Sequence, residues 1–135
     1  MKKVLVFGVF DGLHEGHRAL FRQAKRYGDH LVVSVAQDEI VKRLKGKPPR
    51  YDLGERMKIL NDEPLVDSAV PGDSDLGTYG AIVEFGPEVV LLGYDQKALG
   101  DDLRLTAKQR GWDLRIVFAE PYEPERYHNS ILKKD

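Results

Sequence analysis

Apolar residues are arranged along this chain in two alternating ways, as short continuous runs and as positions repeated at helical spacing. The runs are rich in β-branched and aromatic residues and are bounded by glycine or polar residues, which is typical of strands. They predict strands over residues 4–10, 31–36, 68–70, 87–93 and 114–119. The remaining segments predict helices over residues 16–27, 38–44, 54–60, 76–85, 103–109 and 130–134.

This alternation of strands and helices indicates an α/β fold. The predicted strands are continuous apolar runs, as expected when helices cover both faces of a mostly parallel sheet. Right-handed crossovers then favour a doubly wound, Rossmann-like sheet of five strands in a single domain over residues 1–135. Ligands of such sheets bind beyond the carboxyl ends of the strands, so we expect a site in the loop after the first strand.

The composition narrows the class of protein. The chain has 135 residues, 41% of them hydrophobic, and a net charge of −1. It is long enough to bury a core and lacks the basic excess of a nucleic-acid binder. It contains no cysteine, which excludes disulfides, thiolate metal ligands and cysteine nucleophiles. No segment approaches the ~20 apolar residues of a membrane span, so we expect a soluble, cytoplasmic protein without nucleic-acid or membrane partners.

The stretch GVFDGLHEGH, residues 8–17, concentrates glycine and histidine directly after the first predicted strand. Its glycines fit neither the dinucleotide fingerprint nor the P-loop, which has a lysine where His17 stands. Glycine still lets backbone N–H groups approach a phosphate, and a helix N-terminus favours an anion. The stretch therefore predicts an anion-binding loop at the start of a helix.

His14 and His17 are three residues apart, so at the start of a helix both imidazoles lie on one face. Three interpretations are open. The histidines could be surface or capping residues. They could bind a metal together with Asp11, although the zincin spacing is four and Mg²⁺ prefers oxygen ligands. Their N–H groups could instead stabilise charge that develops on a phosphoryl group, which explains why histidines, glycines and a helix start occur together.

The pattern G-x-F-D-x-x-H-x-G-H resembles the signature of the cytidylyltransferase-like nucleotidyltransferases, and the resemblance extends over nearly the whole chain. It implies a nucleotidyltransferase domain over residues 1–135 in which the two histidines contact the nucleotide phosphates. They stabilise attack on the α-phosphorus, and pyrophosphate is released. By this resemblance His14 and His17 are catalytic, and the nucleotide-binding residues of the loop are Gly8, Val9, Phe10, Asp11, His14, Glu15, Gly16 and His17.

A basic segment points to one group within this family. QDEIVKRLKGKP, residues 37–48, resembles the D-E-x-V-K-x-L-K-G of the archaeal FAD synthetases, which are FMN adenylyltransferases. That resemblance implies a lysine near the phosphates, either Lys42, Lys45 or Lys47, with Lys45 favoured by register as the catalytic one. The pair Glu55–Arg56 resembles an E-R pair of the family and is predicted to tie a helix to the adjoining basic stretch KGKPPRYD, residues 45–52.

Two further segments separate this group from the glycerol-3-phosphate cytidylyltransferases. LLGYDQ, residues 91–96, resembles the L-G-P-D-Q of the archaeal enzymes and implies that Gly93 and Asp95 bind nucleotide; a helix N-cap is the alternative for Asp95. ERYHNSILKK lacks the R-T-x-G-x-S-T-T of the cytidylyltransferases and looks like an H-x-S-L-K ending. This ending implies that Ser130 binds nucleotide, and Tyr122, six residues before His128, is also predicted to contact the nucleotide. The C-terminal cysteines common in that archaeal group are missing from this chain.

These resemblances predict transfer of AMP from ATP to FMN, giving FAD and pyrophosphate. An ionised acceptor phosphate needs no general base. Mg²⁺ would be held by phosphates and water, so no protein metal ligand is predicted. The alternatives are transfer from CTP to glycerol 3-phosphate or another polyol or sugar phosphate, a non-catalytic nucleotide-binding sensor, and a metal-dependent hydrolase. The resemblance also implies a homodimer.

Overall fold

In the computed structural model, which describes residues 2–74 and 77–121, the chain forms a five-stranded parallel sheet flanked by helices. The strands are β1 (Lys3–Gly8), β2 (His30–Val35), β3 (Ser68–Pro71), β4 (Val89–Leu92) and β5 (Arg115–Phe118). The helices are α1 (Glu15–Ala24), α2 (Asp38–Lys45), α3 (Leu53–Asn61), α4 (Gly80–Phe85) and α5 (Lys97–Arg110). The strand order β3-β2-β1-β4-β5 confirms the predicted doubly wound α/β fold.

The two faces of the sheet bury separate hydrophobic clusters, because successive side chains of a strand point to opposite faces. On one face Val4 and Val6 of β1 pack with Phe21 of α1. On the other face Leu5 packs with Leu103 of α5. All five side chains are fully buried, and burial of each such side chain contributes about 1.5–3 kcal/mol. This two-sided burial explains why the strands are continuous apolar runs in the sequence.

Two element boundaries differ from the sequence prediction for identifiable reasons. β1 ends at Gly8 and not at residue 10, because Phe10 has a left-handed backbone with φ of 51° that cannot continue a strand. α5 begins at Lys97 and not at residue 103, because Gly100 is part of the helix. A Cβ on Gly100 would come within 2.4 Å of the Phe118 ring, so glycine here serves close packing.

The helix predicted over residues 76–85 is also shorter than expected: α4 begins at Gly80, because Tyr79 before it has a left-handed backbone with φ of 52°. The helix predicted over residues 130–134 lies outside the described residues. None of the described helices combines the length and apolar character needed to cross a membrane.

The carboxyl ends of all five strands meet at one edge of the sheet. The chain runs from β1 through α1 to β2 on one side, and β4 is added on the other side of β1. The topological switch point therefore lies between β1 and β4, which is where open α/β sheets bind ligands. The loop of residues 8–17 follows β1 at this point.

Candidate active site

Within the described residues, two cavities open at the carboxyl edge of the sheet, one on each face. The histidine cavity lies on the α1 side and has a volume of about 210 Å³; it is lined by His14, Gly16, His17, Leu20, Gln23, Gly93, Tyr94, Asp95, Ala119 and Glu120. The apolar cavity lies on the α5 side and has a volume of about 230 Å³; it is lined by Phe7, Gly8, Val9, Ser34, Ala36, Ile40, Leu44, Gly72, Asp73, Gly77, Tyr79, Gly80, Ala81, Gln96 and Leu99. The loop of residues 8–17 contributes to both.

The beginning of this loop is shaped by the packing of Phe10 against Gly8. A Cβ on Gly8 would come within 2.6 Å of the Phe10 ring, so glycine makes room for the ring at the end of β1. The ring turns into the core, where its centroid lies 5.6 Å from that of Phe21 and 5.3 Å from that of His17. Phe10 is only 5% exposed and lines neither cavity, so it supports His17 from beneath.

His14 and His17 cap the start of α1 and also line the histidine cavity. The Nδ1 of His14, the N-cap residue, accepts the backbone N–H of Gly16 at 3.0 Å. The Nδ1 of His17 accepts the backbone N–H of His14 at 3.3 Å. An imidazole that accepts at Nδ1 carries its proton on Nε2. The capping interpretation is therefore correct, and it sets both rings, stacked 3.9 Å apart, as Nε2–H donors.

Burial and nearby positive charge keep His17 neutral. Burial, followed by the charges of His14, Arg18 and Lys45, lowers the pKa of His17 to about 4. The imidazole is therefore uncharged near pH 7 and donates from Nε2. Lys45 is exposed at the end of α2 and lines neither cavity, and its charge is the weakest of those that lower the pKa of His17.

Asp11 ties the basic loop, residues 46–52, to the motif. Its carboxylate accepts the backbone N–H groups of Arg50 at 2.7 Å and Tyr51 at 2.8 Å. Partial burial raises the pKa of Asp11, but these hydrogen bonds and the charges of Arg50 and Arg56 outweigh it and hold the pKa below its ordinary value. Asp11 lines neither cavity, so its side chain positions the basic loop.

Arg56 joins the same loop to the backbone of the motif. It is fully buried, and its Nε donates to the Tyr51 carbonyl at 2.9 Å. One terminal nitrogen donates to the Val9 carbonyl at 2.8 Å, and the other donates to the Asp38 carboxylate at 2.7 Å. The predicted tie between a helix and the basic loop is thus confirmed for Arg56. Glu55 instead exchanges hydrogen bonds with Asp52 that cap the start of α3.

The wall of the histidine cavity opposite the imidazoles is formed by the segments after β4 and β5. Gly93 and Asp95 both line this cavity, as nucleotide contacts would require. The N-cap of α5 is Gln96, whose side chain accepts the Gly93 N–H at 2.7 Å, so the N-cap alternative for Asp95 is not realised. Hydrogen bonds of 3.0 and 2.9 Å join the Gln23 amide to the backbone of Glu120 and close this side of the cavity.

The apolar cavity has hydrophobic walls and a few polar groups. Ile40 and Leu44 from α2 face Leu99 from α5 around it. The Asp73 carboxylate accepts hydrogen bonds from the Thr78 hydroxyl and the Gly80 N–H. The cavity therefore suits a largely apolar group that carries a few polar atoms.

A strained residue closes one side of the apolar cavity. Tyr79 is buried with a φ of 52°, a left-handed conformation uncommon for a side chain of this size. Its hydroxyl donates to Asp102 of α5. Burial, together with this carboxylate, raises the pKa of the Tyr79 hydroxyl. Its ring also packs edge-on against Phe7 and Trp112, so the wall is fixed by three separate elements.

Like Phe10, Asp11 and Lys45, the predicted site residue Glu15 lines neither cavity. The Glu15 carboxylate pairs with Arg18 at 3.4 Å and with Arg22 at 3.6 Å, on the exposed side of α1. Tyr122 and Ser130 lie outside the described residues. Sequence reasoning missed the apolar cavity, because its lining comes from segments distant along the chain. Its one signal in the sequence is a serine, Ser34, in the otherwise apolar run LVVSV.

The described residues do not form a protein metal cage. No group of three or more His, Cys, Asp or Glu within residues 2–74 and 77–121 is placed to hold a metal ion. The carboxylate of Asp11, the third ligand in the metal interpretation, is engaged with the basic loop instead.

Comparisons with known proteins identify relatives of this chain. A sequence model of the family described as cytidylyltransferase-like matches residues 5–132. The chain is 37% identical over 134 residues to the FAD synthase of Thermoplasma acidophilum, covering 99% of this chain and 93% of that protein. It is 39% identical over 136 residues to the FAD synthase of Pyrococcus abyssi, covering 98% and 90%.

A solved structure gives the same architecture. The lipopolysaccharide core biosynthesis protein from Thermoplasma volcanium superimposes with a TM-score of 0.82 at 34% sequence identity. The match covers 90% of this chain and 98% of that one.

Proposed function

Because the chain belongs to the cytidylyltransferase-like family, we propose that it is an FMN adenylyltransferase, which transfers AMP from ATP to FMN. The products are FAD and pyrophosphate. The similarity to archaeal FAD synthases over nearly the full length of the chain supports the choice of nucleotide and acceptor.

The observation that carries this proposal is a donor-lined cavity and an apolar cavity at one edge of the sheet, both bordered by the loop of residues 8–17. The triphosphate fits among the His14 and His17 imidazoles and the first turn of α1, where anions are favoured. The flat flavin ring fits the apolar cavity on the other face. The acceptor phosphate then meets the α-phosphorus beside the loop that separates the two.

The chemistry requires charge stabilisation more than proton transfer. An oxygen of the FMN phosphate attacks the α-phosphorus of ATP, and the bond from that phosphorus to the β-phosphate oxygen breaks. Pyrophosphate leaves with the electron pair. Fixed donors aimed at the oxygens on which charge develops lower such a barrier, and the Nε2–H groups of His14 and His17 supply them. The acceptor phosphate is already ionised near pH 7, so no general base is needed.

A divalent cation, for which we propose Mg²⁺, accompanies the triphosphate. Mg²⁺ keeps several waters and binds substrate phosphates in preference to an all-protein cage, which suits the donor set of the described residues. The bound cation would neutralise phosphate charge. The exposed ammonium of Lys45 adds positive charge on the same side, since it already acts on His17.

Pyrophosphate release tests the proposal directly. The purified protein with Mg²⁺ is given ATP or CTP, each with FMN or glycerol 3-phosphate, and a sugar phosphate is added as a further acceptor. We expect release only with ATP and FMN, together with FAD detected by chromatography. Release only with CTP and glycerol 3-phosphate, or only with the sugar phosphate, would overturn the FMN assignment. Tight ATP binding without release in any mixture would favour the sensor.

A further inference from the structure

Ser34 is a polar residue at a position where the strand pattern calls for an apolar one. It lies in β2, in register with Phe7 of β1 and Val70 of β3, and is only 5% exposed. It shares a face of β2 with Val32, which packs in the hydrophobic cluster on the α5 side. Its hydroxyl is therefore placed in apolar surroundings, and it lines the apolar cavity.

The hydroxyl of Ser34 forms no hydrogen bond with any other described residue, whereas every fully buried polar side-chain atom among those residues is paired. Its environment keeps it accessible from the cavity. A Cβ on Gly72 would lie 3.4 Å from the Ser34 Oγ, so glycine at that position leaves the hydroxyl open. A ligand that displaces water from the cavity would therefore have to offer this hydroxyl a hydrogen-bond partner, because a hydroxyl left unpaired in apolar surroundings is unfavourable.

We propose that Ser34 is a specificity-determining residue of the acceptor site, whose hydroxyl hydrogen-bonds a polar ring atom of the flavin. This inference rests on the proposed function, because it places the flavin in the apolar cavity. The other polar side chains of the cavity are already engaged, Asp73 with Gly80 and Gln96 with Gly93. Ser34 is therefore the group best able to distinguish a flavin from a purely apolar ring.

The ring, and not the ribityl chain, is the part of the acceptor that meets Ser34. Hydrophobic side chains, those of Ile40, Leu44 and Leu99, surround the cavity that Ser34 lines. A planar ring gives up few hydrogen bonds to water when it contacts such walls. The ribityl chain carries several hydroxyl groups, and these would have no hydrogen-bond partners there. The flavin ring has nitrogen and oxygen atoms on one edge, and a serine hydroxyl can both donate to and accept from such atoms.

Substitution of Ser34 by alanine tests this contact. For Ser34→Ala we expect KM for FMN to rise about 3- to 10-fold, the value of one neutral hydrogen bond. The value of kcat should stay within about twofold, and KM for ATP should not change. The Tm should stay equal or rise, because no contact within the described protein is lost. Ser68→Ala, a serine of β3 that lines neither cavity, is the matched control and should leave both constants unchanged.

Lumiflavin, which has the flavin ring but no ribityl phosphate, separates ring recognition from chain recognition. We expect it to compete with FMN and to lose about 3- to 10-fold in Ki on Ser34→Ala. An unchanged KM for FMN, a lower Tm for Ser34→Ala, or equal lumiflavin Ki values in the two proteins would each overturn the inference. If the wild-type protein makes no FAD at all, the proposed function fails; if it makes FAD and Ser34→Ala does so with wild-type constants, only the Ser34 assignment fails.

Discussion

The imidazoles of His14 and His17 serve two purposes with two different nitrogens. Each Nδ1 accepts a backbone N–H at the start of α1, and each Nε2 therefore carries the proton. Serine or asparagine would cap a helix equally well but would present no comparable donor on the side of the cavity. The use of histidine at both positions is explained only when the cap and the donor are considered together.

Alanine at these positions should remove catalysis and retain nucleotide binding. For His14→Ala and His17→Ala we expect kcat to fall ~10²-fold or more, the size of a lost transition-state donor. The Kd for ATP should change less than about tenfold, because backbone groups at the start of α1 still face the phosphates. Pyrophosphate release and titration calorimetry measure the two effects.

The control for this pair is His30→Ala, at the start of β2 and outside both cavities, which should turn over at the wild-type rate. Wild-type turnover in His14→Ala and His17→Ala would show that the reaction does not use these donors.

At the level of secondary-structure elements, the hydrophobic pattern was sufficient to predict all five strands. The inner strands β1, β2 and β4 are largely buried and must be apolar runs, whereas the edge strands β3 and β5 are only partly buried but still carry enough apolar residues to be recognised. It failed where one local contact sets a boundary. Gly100 looks like a helix breaker in the sequence, but the Phe118 ring occupies the space of its absent side chain. Phe10 looks like a strand residue, but its backbone turns left-handed to place its ring under His17.

Arg56 links three elements, so its loss should destabilise the fold more than the loss of a surface arginine. In Arg56→Met the Val9 and Tyr51 carbonyls and the Asp38 carboxylate each lose a donor. We expect the free energy of unfolding to fall by about 2–4 kcal/mol, measured by urea denaturation. Arg26→Met, at an exposed position, is the matched control and should stay within about 0.5 kcal/mol of wild type. Equal urea midpoints for the two variants would contradict the proposed linking role.

At the level of the whole molecule, the two cavities differ in how far the sequence could predict them. The histidine cavity is built from segments that follow β1, β4 and β5. The first two carry motifs, so its main residues were found from sequence, whereas Ala119 and Glu120 after β5 were not. The apolar cavity gathers residues near positions 7, 34, 40, 73 and 97. Only the strand order of the folded sheet brings these together, and apart from Ser34 no local pattern marks them. The expected homodimer and cytoplasmic location stay predictions.

The acid sensitivity of the whole fold should depend on His17. Its pKa is lowered from the ordinary 6.5 to about 4 in the folded chain, first by burial and then by the neighbouring positive charges. Between these pH values the unfolded chain binds a proton that the folded chain does not. The stability contributed by neutral His17 is therefore present above pH 6.5 and is lost as the pH falls towards 4. Asp11 and Asp67, whose pKa values lie below 3.8, lose their contributions only at lower pH.

Glutamine at position 17 cannot titrate, so it isolates this effect. We expect the stability of the wild type relative to His17→Gln to shrink by about 1–2 kcal/mol between pH 7 and pH 4.5, less than the full shift because the ring is partly exposed. Urea midpoints at constant ionic strength measure it. Parallel pH curves for the wild type and His17→Gln would mean that His17 is protonated in the folded chain as readily as in the unfolded one. In that case His17 would be partly protonated near pH 7, and the neutral-donor account of the reaction would have to include the charged imidazolium.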